Sequence, residues 1–295
     1  MQDSCIRIQM QMNPILVHIH AFYGDILPHL LESLRVLTPF PHEVWVTYPE
    51  NDLKIPELLA GCVDSEKMLP VSNNGYDVLP FLKVLKKLNL DDYSYCIKLH
   101  TKRDMPLGSM LRNVDVGGNR WRESLMSFLQ PAHFNSCMQS FATDATLGMA
   151  AHHLLIFKKE PIDYGAWEES IQMLNSRGIH LNECAFVAGT MFICRAHLLK
   201  LFLEVFGDVE FPPTRREDII TPAHVAERFL GHSVYAQGYK IYCPFTPRYQ
   251  QTTFFDIVRR ISRFFFLRKV TAKGKLIIKV CKIPVYSKKI EHPYA

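Results

Sequence analysis

No Cys-x-x-Cys pair occurs in this 295-residue chain, whose eight cysteines, at positions 5, 62, 96, 137, 184, 194, 243 and 281, are scattered singly. Several fall inside stretches that read as strands, a pattern favouring buried reduced thiols in a cytosolic compartment over disulfides or a zinc knuckle. No window approaches the roughly 20 consecutive apolar residues that a membrane-spanning helix needs. The first residues carry no basic segment followed by a long apolar run, so no secretory leader is expected. Asp-x-Asp, a simple carboxylate pair for holding a divalent cation, is absent throughout.

What is present is material for a core. Hydrophobic residues make up 48% of the chain, enough for one large domain with or without an appendage. The net charge of +5 is unevenly placed: of 34 basic and 29 acidic residues, 12 and two lie from Arg248 onward, leaving 22 and 27 before it. The expected division is therefore a body, 1–247, and a basic tail, 248–295, with separate partners.

Ile15-Leu16-Val17-His18-Ile19-His20 predicts a strand, and residues 25–37 follow with apolar positions at helical spacing. Val44-Trp45-Val46-Thr47 predicts a second strand, closed by the polar turn Tyr48-Pro49-Glu50-Asn51. Asn73-Asn74-Gly75-Tyr76-Asp77 is a loop of residues tolerant of positive φ, leading into a helical run over 78–88. Tyr95-Cys96-Ile97-Lys98-Leu99 predicts a third strand with His100-Thr101-Lys102 at its carboxyl end. This alternation implies a largely parallel α/β sheet, whose ligands bind at the carboxyl ends of its strands.

Further along, residues 117–129 read as a glycine turn opening an amphipathic helix, with Arg120 and Arg122 near its start. Residues 146–156 and 186–194 predict strands, and 161–178 a helical or looped stretch carrying Trp167. Val187-Ala188-Gly189-Thr190-Met191-Phe192 uses small residues where backbone must approach something closely. A helix is expected over 195–206, and Phe211-Pro212-Pro213 breaks the chain. Thr221 then serves as N-cap with Pro222 at the first helical position, which puts His224, Glu227 and Arg228 on one helix face before a last strand at 239–242.

His18 and His20 share one side of a buried strand with no acid at ligand spacing, so they fit core or substrate contact rather than zinc, and no metal is assigned to His29 or to His152 and His153.

Val17-His18-Ile19-His20-Ala21-Phe22-Tyr23, Asn73-x-Gly75-x-Asp77-x-x-Pro80-Phe81, Lys98-Leu99-His100-Thr101-Lys102, Trp121-Arg122, Ala188-Gly189-Thr190-Met191-Phe192 and Ala223-His224-x-x-Glu227-Arg228 occur in that order over residues 14–245. In these six motifs the chain resembles the rhamnan synthesis protein F family of bacterial polysaccharide glycosyltransferases. The resemblance implies a GT-A-like, Rossmann-like fold: a mixed, mostly parallel sheet flanked by helices, with a nucleotide-binding half and an acceptor-binding half. It implies transfer of a sugar, rhamnose among the candidates, from a nucleotide-sugar donor to a cell-surface polysaccharide, O-antigen or lipid-linked glycan, with inversion. Where the family reads Asn-Arg-Gly-Arg-Asp, this chain has Asn74 and Tyr76 in place of the two arginines, and Thr221-Pro222 stands where Gly-Thr-Leu is commoner.

Such a transfer needs a base for the acceptor hydroxyl and positive charge for the departing diphosphate. Lys98, His100 and Lys102 share one face of an extended strand and can supply that charge without a cation. The expected donor-binding residues are Lys98, His100 and Lys102 with Asp77, His20 and Asn74. Asp77 either grips the donor or caps the helix beginning at Val78. Trp121, Arg122, Gly189, Thr190 and Met191 are the acceptor candidates. GT-A enzymes place an acid about a dozen residues before the glycine that opens the last strand, and Glu227 precedes Gly238 by 11 residues. Glu227 is therefore preferred as base over Glu217 or Asp218, with His224 as base or orienting partner. No cofactor is assigned, and magnesium or manganese stays open without its usual motif.

The expected tail is helical: Phe254, Val258, Ile261 and Phe265 form a stripe opposite Arg259, Arg260 and Arg263 within 254–269. That is the pattern of an interfacial helix on anionic lipid at the inner face of the cytoplasmic membrane, or of a helix packed on the body. No nucleic-acid module is visible. The rival to an enzyme is a non-catalytic glycan-binding or scaffold subunit of a polysaccharide assembly.

Overall fold

All six residues of Ile15–His20 (β1) are buried, as a strand covered by helices on both faces requires. The computed structural model describes residues 12–107, 109–111, 114–158, 165–213 and 220–245, with the backbone of 266–270, 275–280 and 283–289. From β1 the chain passes through the helix Leu27–Ser33 to β2 (His42–Pro49), through Lys54–Leu59 to β3 (Met68–Val71), and through Val78–Leu85 to β4 (Tyr95–His100). A ribbon of β5 (Met110–Leu111) and β6 (Val114–Asp115) precedes the helices Arg120–Met126 and Pro131–Thr143 and β7 (Leu147–Ala150). β8 (Ile156–Phe157) pairs with β9 (Phe186–Val187) across the helix Ala166–Asn175, and β10 (Phe192–Arg195), the helices Leu199–Phe206 and Pro222–Ala236 and β11 (Lys240–Tyr242) complete the body.

Seven of these strands form one sheet in the order β11-β7-β10-β4-β1-β2-β3. β1 runs parallel to β2 and β4, β2 to β3, and β7 to β11, whereas β10 is antiparallel to both its neighbours. The result is the expected mixed, mostly parallel sheet flanked by helices. The chain builds outward from β1 through β2 to β3, then returns to place β4 on the other side of β1. The strand order therefore switches direction between β1 and β4, and a crevice opens at the carboxyl ends of such a pair.

The expected strand over 186–194 is two strands. Thr190 N–H donates to Val187 O at 3.2 Å, closing a turn in which Gly189 and Thr190 have φ of +78° and +49°. That left-handed turn sends β10 back against the sheet direction. The helix Lys54–Leu59, β3, the β5–β6 ribbon and Pro131–Thr143 were not read from the sequence: β3 is four residues including a proline, the ribbon strands are two residues each, and the polar residues of Pro131–Thr143 dilute its apolar period.

Contacts divide the chain into Met1–Pro247 and Arg248–Ala295. In the second unit, β12 (Phe266–Val270), β13 (Lys275–Val280) and β14 (Ile283–Lys289) form an antiparallel sheet. The expected tail helix is corrected over 266–269, which is strand. The neighbouring Val270, Ile277, Ile278, Val280, Ile283 and Val285 are β-branched residues that favour a pleated surface. The proposed stripe of Phe254, Val258, Ile261 and Phe265 lies outside the described residues. Among the described residues no helix is long and apolar enough to cross a membrane.

Gly231 lies inside the helix Pro222–Ala236, where an added Cβ would overlap the Ala185 carbonyl oxygen and Phe186 Cα. Gly231→Ala should therefore lower stability by about 1–3 kcal/mol through overpacking, despite the roughly 1 kcal/mol that alanine gains over glycine in a helix. Urea unfolding measures this, and an unchanged or raised midpoint would contradict the packing.

Candidate functional site

Strand register gathers polar side chains on one face of the sheet. His18 lies opposite Lys98 on β4, while His20 lies opposite His100 on β4 and Thr47 on β2. His20 and His100 end their strands at the crevice, and His18 and Lys98 lie two residues deeper.

Lys98 is fully buried, which no ammonium tolerates without compensation. Its Nζ donates to the Asp77 carboxylate, to Thr190 Oγ1 at 2.8 Å and to Thr190 O at 3.3 Å. The Thr190 hydroxyl also donates to Asp77, and the Phe81 ring lies 5.5 Å from Nζ. Burial alone would raise the Asp77 carboxyl, but Lys98, His100 and these hydrogen bonds outweigh it and hold Asp77 far below the usual carboxylate range. Asp77 precedes Val78 in a helical conformation with no capping hydrogen bond from its side chain. It occupies the N-cap position, but its carboxylate serves as an internal counter-ion and does not cap the helix. Among the described residues both non-glycine residues with positive φ, Tyr76 (+52°) and Thr190 (+49°), lie at this cluster, and such backbone strain concentrates at functional sites.

Gly189 links the next groups. Its carbonyl accepts from His100 Nε2 at 2.8 Å, and its N–H donates to Glu227 Oε1 at 2.9 Å. An added Cβ on Gly189 would sit 2.6 Å from Leu125 Cδ2 and 3.4 Å from Trp121. Arg228 Nη1 donates to Glu227 Oε2 at 2.6 Å, its guanidinium 4.7 Å from the Phe186 ring. Burial, with Lys98 and Lys102 nearby, lowers His100 against the opposing pull of Asp77. A neutral His100 therefore has its one N–H committed to Gly189. His224 Nδ1 accepts the Thr221 N–H at 3.2 Å, and burial and Arg228 lower its pKa. With Nδ1 as acceptor, neutral His224 carries its proton on Nε2 and is a donor, not a base. The exposed Tyr76 ring faces it at 5.7 Å.

The remaining expected residues divide. Lys102 is half-buried and makes no ion pair among the described residues. Asn74 forms a backbone bridge to Pro213. Trp121 edges Gly189, its Nε1 sealed from solvent without a hydrogen-bond partner among the described residues. Arg122 is engaged by Asp104. Met191 is fully buried in the core and reaches no surface. Thr47 and Thr101 were missed. Thr47 Oγ1 lies 3.0 Å from both His18 Nε2 and His20 Nδ1. Thr101 Oγ1 accepts from Phe22 N at 2.8 Å and Tyr23 N at 2.7 Å, fastening the loop after β1 to the end of β4. A threonine inside an apolar strand was the available signal for Thr47. Among the described residues no group of three or more His, Cys, Asp or Glu could hold a metal ion.

A family model described as "Rhamnan synthesis protein F" matches residues 2–239. Two curated relatives from Xanthomonas campestris pv. campestris, strains B100 and ATCC 33913, both titled "Uncharacterized protein WxcX", are 27% identical over 239 residues, which is 76% of this chain and 32% of theirs. The chain thus spans about a third of the length of these relatives.

Lys98→Met leaves Asp77 uncompensated and should cost about 3–5 kcal/mol, with much of it recovered in Lys98→Met/Asp77→Leu. Because Asp77 is held low, the pair's contribution is complete above the ordinary carboxylate range near pH 4 and is lost as pH falls below it. Acid unfolding should therefore be steeper in the wild type than in Asp77→Asn. Equal acid sensitivity would show that the pair does not stabilise the fold.

Proposed function

Because the chain belongs to the rhamnan synthesis protein F family, whose name implies a role in polysaccharide synthesis, we propose that it is an inverting glycosyltransferase of GT-A type. It takes a nucleotide-sugar, rhamnosyl among the candidates, and a glycan or lipid-linked acceptor. The observation that carries the reading is the pairing of His20 with His100 at the carboxyl ends of β1 and β4, where the strand order switches and α/β sheets bind nucleotides.

In the proposed reaction the acceptor hydroxyl oxygen attacks the anomeric carbon, its proton passes to the Glu227 carboxylate, and the bond to the nucleoside diphosphate breaks with its electron pair. Glu227 is preferred over His224 because His224 Nδ1 is already an acceptor in the helix start. Gly189 N–H and Arg228 orient one Glu227 oxygen each. Where carboxylates would cradle a cation, β4 ends in His100, with Lys98 inside the strand matched to Asp77 and Lys102 two residues beyond the strand end. No step is routed through a metal. Lys102 is the cation left to meet the diphosphate, since Lys98 is matched to Asp77.

Purified protein supplied with nucleotide-sugars and a lipid-linked acceptor should release nucleoside diphosphate, with EDTA present or absent. Glu227→Gln should reduce this at least 100-fold, within the range of general-base catalysis, and His224→Ala far less. Turnover untouched by Glu227→Gln would remove the base, and turnover restored to an EDTA-treated enzyme only by manganese or magnesium would refute the cation-free chemistry. Neither turnover nor nucleotide binding with any common donor would favour a scaffold subunit.

A further inference from the structure

His18, Thr47 and His20 form a chain of buried hydrogen bonds whose direction is fixed at its inner end. His18 is fully buried against the Phe81 ring, 5.2 Å away. Its Nδ1 has no hydrogen-bond partner among the described residues. A buried N–H without an acceptor is rarer than a buried lone pair without a donor, so Nδ1 is the bare nitrogen and Nε2 carries the proton. His18 Nε2–H then donates to Thr47 Oγ1 at 3.0 Å.

The Thr47 hydroxyl has one hydrogen and two acceptors in range, His20 Nδ1 at 3.0 Å and Ile19 O at 3.4 Å. The shorter contact is the stronger hydrogen bond. Thr47 therefore donates to His20 Nδ1, which leaves the His20 proton on Nε2. His20 is 5% exposed at the crevice end of β1, and its Nε2 takes no hydrogen bond among the described residues. The neighbouring donors are occupied: His100 Nε2 by Gly189 O, and the N–H groups of Phe22 and Tyr23 by Thr101.

We propose that His20 Nε2–H is the hydrogen-bond donor that the crevice presents to an oxygen of the bound nucleotide, and that His18 and Thr47 are positioning residues that set this tautomer. The ligand part rests on the nucleotide-sugar reading above; the polarity of the relay does not. Burial, reinforced by His100 and Lys98 against the opposing pull of Asp77 and of the Thr47 backbone, lowers His20 to about 4, consistent with a neutral imidazole at physiological pH. The relay replaces the flexibility of a charged side chain with one N–H already aimed, the economy of a preorganised site.

Long-range proton–nitrogen NMR of the full chain labelled with 15N-histidine, without ligand at pH 7, reads the tautomers directly. His18 and His20 should both carry the proton on Nε2, and Thr47→Val should disturb His20 while Thr47→Ser preserves it. On adding uridine or thymidine diphosphate the His20 Nε2 signal should move, with inorganic pyrophosphate and the free nucleosides telling a phosphate oxygen from a base or ribose oxygen. His20→Asn should weaken nucleotide binding about tenfold, the loss of roughly one hydrogen bond, and His20→Gln, which restores a donor near Nε2, should recover most of it. A proton on His20 Nδ1, or an imidazolium, would overturn the relay. Nucleotide binding that leaves His20 Nε2 unmoved would overturn the ligand assignment. The expected tautomers in a protein that binds none of these probes would uphold the relay and remove the nucleotide-sugar reading together with the role of His20 in it.

Discussion

A lysine with no exposed surface organises the crevice. Lys98 sits on a strand buried on both faces, and its charge must be matched within hydrogen-bond reach. Meeting that demand draws in Asp77 from the start of the helix Val78–Leu85 and Thr190 from the turn before β10. Three elements remote in sequence are thereby pinned at one point. The left-handed backbone of Tyr76 and Thr190 is tolerable because the pair on each side holds it in place.

The same pinning decides what the neighbouring groups can do. With Thr190 held, Gly189 presents its carbonyl to His100 and its N–H to Glu227, so one residue couples the end of β4 to the helix Pro222–Ala236. Lys98 and His100 are then committed within the fold, to Asp77 and Gly189, while His20 keeps a slightly exposed edge and Lys102 is half-buried with no ion pair among the described residues. A basic motif at a strand end is thus sorted by which of its side chains are compensated internally.

Much of this was legible in the sequence, for physical reasons. Ile15–His20 and Tyr95–His100 are runs of β-branched and aliphatic residues bounded by turns, and their strand ends coincide with the polar motifs. Gly75 and Gly189 marked the left-handed loops, and Thr221-Pro222 marked the helix that carries Glu227. Long-range pairing was not legible. Nothing local to Asp77 says that its carboxylate turns to Lys98 rather than to the helix end, and nothing in Val46-Thr47 says that one hydroxyl lies between two histidines of the adjacent strand. Met191 looked accessible beside Gly189 and Thr190, yet it immediately precedes β10, a central strand buried on both faces, and lies in the core. In the tail, basic and apolar residues fitted a helical stripe as well as a strand, and 266–270 is a strand through long-range pairing with the β-branched β13.

Hydrogen exchange of the full chain, with and without a nucleoside diphosphate, tests the crevice between β1 and β4 as the donor site most directly. Protection should concentrate in residues 20–23, 73–77, 98–102 and 187–190, the segments that meet around Lys98 and Gly189. Protection confined to other parts of the body, or none at saturating nucleotide, would contradict it.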